Sequence, residues 1–143
     1  MNAPDQDVVR KVKDWVSYAD DDLRLAKNTL ETMKEECPYN LVAYHAQQCV
    51  EKYLKAYLVY LCVDFPYTHD IFKLIQLFGV EAHWIEKIQD AKDLTIYGVS
   101  SRYPEENEQI TREEAYQAVS IADNVKQIVR LALLDNGIVI TGD

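Results

Sequence analysis

The chain has 143 residues, with four glycines, four prolines and three cysteines. That is the size of one domain with a sizeable core, and it is too poor in Gly and Pro for a collagen-like, low-complexity or turn-dense all-β protein. Fifteen basic residues face 24 acidic ones, a net charge of −9, which argues against a protein that grips long nucleic acid by its backbone.

The N-terminus, Met-Asn-Ala-Pro-Asp-Gln-Asp, is polar and acidic, unlike a signal peptide. The longest mostly apolar stretch, Val50–Phe65, is interrupted by Glu51, Lys52, Lys55 and Asp64. A spanning helix needs about 20 apolar residues, so the expectation is a cytoplasmic protein without a membrane segment. Cys37, Cys49 and Cys62 lack CxxC spacing and read as small hydrophobes in a reducing compartment. His45 and Cys49 stand four apart, half of a metal site, but no second pair follows, so no metal or other cofactor is expected.

Helical periodicity dominates. Val8, Val12, Trp15, Ala19, Leu23, Ala26, Leu30 and Met33 recur at three- and four-residue steps and predict one long helix, with Asp20, Asp21 and Asp22 on a solvated face. Pro38 ends it or opens the next. A second helix is predicted over Tyr39–Val63, with Ala46, Val50, Tyr53, Leu54, Tyr57 and Leu61 on one face. Gln48, Glu51, Lys52 and Lys55 fall opposite, in a polar stripe about 100° wide. A short third helix follows over Asp70–Phe78, stopped by Gly79, and a fourth over Ala82–Ile96. Tyr97–Pro104 reads as irregular. Thr111 with Glu114 forms a capping box that opens a fifth helix, Arg112–Asp135, stopped by Asn136-Gly137. The apolar tail Ile138-Val139-Ile140 has three readings: docking on the body, pairing with another chain, or fraying. The expected architecture is an all-α, up-and-down bundle of about five helices in one domain, residues 1–136, with a tail over 137–143.

The second helix carries a resemblance. Its run from Ala43 to Leu58 contains Gln48, the Glu51-Lys52 pair and Leu54-Lys55-Ala56, and resembles the signature helix of the HEPN family (higher eukaryotes and prokaryotes nucleotide-binding domain). Trp15 with the Ala19–Leu23 run resembles that family's first helix. Thr68-His69-Asp70 resembles the His that opens its third. Ser101-Arg102-Tyr103-Pro104 resembles its Arg-Tyr-Pro segment. The resemblance spans residues 8–134 and implies a helical bundle that forms homodimers. It implies one of two roles: a metal-independent RNase, often a toxin, or a partner of a minimal nucleotidyltransferase in a two-component system, for which nucleotide binding has been proposed.

The RNase group carries an Arg and a His with four to six residues between them. Residues five to seven positions before His45, His69 and His83 are Pro38-Tyr39-Asn40, Cys62-Val63-Asp64 and Gln76-Leu77-Phe78, none of them Arg. The positions after Arg102 at that spacing are Asn107, Glu108 and Gln109. Cleavage needs a base for the 2′-hydroxyl and a cation for the phosphorane. The chain is therefore read as a non-catalytic module with a small-nucleotide site. Lys52, Lys55 and Arg102 would meet phosphate, Tyr103 or Tyr97 would stack a base, and Gln48 would read its edge. The alternative is a diverged RNase using Arg102 and His69 across a dimer cleft. A third reading is a purely structural dimer, in which the stripe only packs, its groups paired off and shielded by buried hydrogen bonds to another helix or to the dimer mate that set register. On a plain solvated helix Gln48–Lys52 and Glu51–Lys55 would instead be ordinary i, i+4 pairs, with His69 capping a short helix or bonding a neighbouring backbone carbonyl.

Overall fold

The structure, a computed structural model, describes residues 4–100 and 109–142, and the side chains of 99 and 100 are left aside. Among these, α1 spans Gln6–Thr32, α2 Tyr39–Tyr60, α3 Ile71–Ile75, α4 Thr95–Ser100 and α5 Arg112–Asp135. A 3-10 segment, His83–Leu94, lies between α3 and α4 and kinks at Ile88. No strand occurs among the described residues, and none of their helices is long and apolar enough to cross a membrane.

Side-chain pairings fix the directions of the long helices. Asp20 meets Tyr53 while Asp22 meets Lys52 and His45, so α1 and α2 run antiparallel. Tyr53 meets Arg130 and Tyr57 meets Asn136, so α5 runs parallel to α2. The return leg between them is broken into α3, the 3-10 segment and α4. This is an up-and-down helical bundle whose third leg is in pieces.

α2 packs against α1, α3, the 3-10 segment, α4 and α5. It is enclosed on every side, and Ala43, Ala46, Cys49, Val50, Tyr53, Leu54, Ala56 and Leu58 are fully buried. The solvated-face reading of the polar stripe is thus overturned: Gln48, Glu51 and Lys55 are 8%, 3% and 5% exposed. Burial is general around a helix that others surround.

The helix ends explain the other departures. α2 stops at Tyr60, not Val63, because Cys62 takes φ 58°. Cys62 N–H then donates to Val59 O and Val63 N–H to Leu58 O, a Schellman arrangement. The same pair of bonds closes α5, where Gly137 has φ 84° and Ile138 N–H reaches Leu133 O. α3 is shorter than expected: Asp70 caps it by accepting from Phe72 N–H, and 3-10 turns take over after Ile75. The single fourth helix is instead 3-10 turns followed by α4, which converts part of the expected irregular stretch into helix. α5 begins as expected, with Thr111 and Glu114 in a reciprocal capping box. The tail docks on its own body. Ile138 is buried at 1% exposure and Ile140 packs on the core.

The Asp20–Asp22 run does not lie on one solvated face. Asp20 is buried and accepts from Tyr53 Oη and from Arg130 Nη2 at 2.6 Å. Arg130 Nε also donates to Tyr53 Oη at 3.1 Å, closing a triangle across α1, α2 and α5. Lys126 Nζ lies 3.7 Å from Asp20. Burial, then the bond to Asp20, pushes the Tyr53 phenol far above its ordinary range, so it stays a donor. Asp22 holds Lys52 and His45, and only Asp21 remains on the surface.

These contacts set the expected response to two substitutions. Asp20→Ala leaves Arg130 facing a vacated carboxylate position and should cost about 3 kcal/mol in urea unfolding. Cys62→Gly relieves a left-handed residue that carries a Cβ and should raise stability by about 0.5 kcal/mol in the same assay.

Candidate functional site

Four residues on successive turns of α2, together with His69 from the loop before α3, build one polar cluster inside the bundle. Its centre is Glu51. Oε1 accepts from Lys55 Nζ at 2.8 Å and lies 3.0 Å from His69 Nδ1. Oε2 accepts from Gln47 Nε2 at 3.2 Å and from Gln48 Nε2 at 3.3 Å. Gln48 also donates to Gln47 Oε1 at 2.7 Å, and Gln47 to the His69 carbonyl at 3.0 Å. A buried carboxylate without such donors would be costly; here each acceptor position is filled.

Lys55 is sealed by aromatic faces as well as by its carboxylate. Its Nζ lies 5.6 Å from the Trp15 and Phe65 ring centroids and 5.9 Å from that of Tyr67. These are cation–π distances, and desolvation strengthens such contacts. Phe65 itself packs edge-on against Trp15 at 6.1 Å. The Pro66–His69 loop therefore closes over α2 through its own aromatic side chains.

His69 is not the helix cap; Asp70 takes that role. Because an ionised carboxylate only accepts, the His69 contact to Glu51 places the proton on Nδ1 and leaves Nε2 as the lone-pair nitrogen of the neutral ring. The ring is 29% exposed, so this nitrogen belongs to the one partly accessible group of the cluster.

Gly98 of α4 lies directly over the cluster. A Cβ there would stand 2.9 Å from Gln47 Cδ and Oε1, so the position needs glycine to let the α4 backbone approach α2. Neither this close contact nor the role of Gln47 has a local signal in the sequence.

The residues expected to hold a nucleotide separate into three groups. Gln48 and Lys55 belong to the buried Glu51 cluster. Lys52 turns to α1, where Nζ donates to Asp22 Oδ2 at 2.6 Å beneath the Tyr18 ring. Arg102 and Tyr103 lie outside the described residues. The expected i, i+4 pairing holds for Glu51–Lys55 but in a buried setting, and Lys52 pairs with Asp22 in place of Gln48. His45, half of the metal pattern, also bonds Asp22, at 2.9 Å. Cys49 is fully buried, and that burial, then Asp22 and Asp20, pushes its thiol well up. His83 is exposed.

The HEPN domain model matches residues 12–132. The chain belongs to the HEPN domain family. It is 30% identical over 137 residues to the Methanocaldococcus jannaschii protein named "Putative toxin MJ1304", covering 85% of this chain and 88% of the relative. The crystal structure of TT1696 from Thermus thermophilus matches with a TM-score of 0.71 at 25% identity, over 83% of this chain and 95% of that one.

The cluster predicts an unusual tautomer. Long-range nitrogen–proton NMR should find neutral His69 protonated at Nδ1, whereas free imidazole favours Nε2. In Glu51→Gln the preference should weaken or vanish. An Nε2-protonated His69 in the unaltered protein would contradict the geometry.

Proposed function

We propose that this chain is the HEPN member of a two-component, toxin–antitoxin-like module, working as a homodimer that binds a minimal nucleotidyltransferase rather than cleaving RNA. The observation that carries this reading is the state of the α2 cations. Lys52 and Lys55 are both held by carboxylates of the same chain, at 2.6 and 2.8 Å. A nucleotide seated on Gln48, Lys52, Lys55, Arg102 and Tyr103 would have to displace Asp22 and Glu51 first. The spacing of Arg and His needed for the family's RNase motif is also missing from the sequence. The toxin name of the archaeal relative supports a place in a toxin–antitoxin pair.

The RNase reading keeps one observation in its favour. A His held through Nδ1 by a carboxylate has its Nε2 free to take a proton, as a general base requires.

Co-expression with a minimal nucleotidyltransferase, followed by size-exclusion chromatography with light scattering, tests the proposal. A stable complex containing two copies of this chain is expected. Incubation of the purified chain with RNA should give no cleavage, and His69→Ala should not change its effect on cell growth. Cleavage that disappears in His69→Ala would replace this reading with the RNase one. Thermal shifts with ATP, GTP, CTP and UTP should be flat.

A further inference from the structure

A cavity of about 320 Å³ opens between the 3-10 segment and the end of α5, away from the Glu51 cluster in its side chains. Its floor is aromatic. Trp84 stands edge-on to Tyr57 at 4.9 Å and to Phe78 at 5.2 Å. Its α5 wall carries Ile128 and Leu131, the latter 60% exposed. Such a lining accepts the flat faces of a small ring system, and the volume sits at the lower end of the ligand-site range.

Three polar groups on the wall keep hydrogen-bonding capacity that no described residue uses. Asn136 Nδ2 donates to Ala132 O at 2.8 Å and to Tyr57 Oη at 3.3 Å. A carbonyl can only accept, so the contact to Ala132 fixes which end of the amide is nitrogen. Both amide hydrogens are spent, and Asn136 Oδ1 accepts nothing among the described residues. The Trp84 indole N–H faces the same Tyr57 oxygen without completing a bond, and it is buried with no partner among the described residues. The Tyr57 oxygen accepts from Asn136 Nδ2, and no described group accepts the hydroxyl's own proton. Burial holds that phenol above its usual range, so the proton is present.

The Tyr57 hydroxyl and the Asn136 amide, in contact at 3.3 Å, therefore offer a donor and an acceptor beside the Trp84 ring that lines the same cavity. The charged rim favours no anion, since Glu81 and Asp135 outnumber Lys87. We infer that this cavity is a binding site for a neutral, planar cyclic amide, one whose ring carbonyl accepts from Tyr57 Oη while the adjacent ring N–H donates to Asn136 Oδ1. The complementarity is that of a cis-lactam: C=O and N–H on one edge, a flat apolar body behind.

The test uses the full chain with quinolin-2(1H)-one as probe, and 1-methylquinolin-2-one and quinoline as controls. Binding is read by saturation-transfer NMR and by Trp84 fluorescence in a Trp15→Phe background. Quinolinone should bind with a submillimolar Kd, and each control should bind at least about tenfold more weakly, the loss of one or two hydrogen bonds. Tyr57→Phe keeps the ring and should weaken quinolinone about tenfold. Leu131→Trp, at an exposed position, should block the cavity to all three. Circular dichroism melts confirm that both variants fold. The inference is overturned if the three probes bind alike, if Tyr57→Phe leaves quinolinone affinity unchanged, or if no binding appears at millimolar probe.

Discussion

A helix enclosed on every side has no water to offer its polar residues, and α2 is such a helix. Each ionised or amide group it carries must find a partner within the bundle. Glu51 finds Lys55, His69 and two glutamines; Lys52 finds Asp22; Tyr53 finds Asp20 and Arg130. Lys55 and the two glutamines lie on α2 itself, but the other partners come from α1, α5 and the loop before α3, so satisfying α2 also sets where those elements sit. Apolar packing alone permits helices to slide and rotate; directional bonds at both ends of α2 do not.

This constraint gives the family's signature residues a structural meaning. Gln48, Glu51, Lys52 and Lys55 look like a surface stripe because they are polar and recur at helical spacing. In the folded chain they are the internal ties of the central helix. Burial strengthens them, because Lys55 sits among three aromatic rings with its carboxylate beside it. Removing one member would leave another charge unpaired in a poorly solvated place.

The helices themselves were legible. Apolar steps of three and four marked α1 and α5, and Thr111 with Glu114 marked where α5 begins. Less legible was the inner side of α1. Asp20 follows Val16 by four and precedes Leu23 by three, which puts it on the buried face, but a run of three aspartates looks like surface. The end of α2 was hidden because Cys62 stands where glycine usually marks the turn. Enclosure of α2 was hidden for a different reason: it depends on how many neighbours arrive from distant parts of the chain, and periodicity within one helix cannot report that. The pairing of Lys52 with Asp22, 30 positions apart, has no local signal. Nor has the approach of Gly98 to Gln47.

The parallel course of α2 and α5 bears on how the chain assembles. Asp20 lies 33 positions from Tyr53 but 110 from Arg130. Closing the longer loop costs about 1 kcal/mol more in chain entropy, by the logarithmic dependence on loop length. The α1–α2 hairpin is thus the cheaper half to form, from contacts close in sequence. Docking of α5 must wait for a return leg made of short, weakly helical pieces. Until it arrives, Asp20 and Tyr53 have each other but lack their guanidinium, and one whole side of the central helix lies open to water.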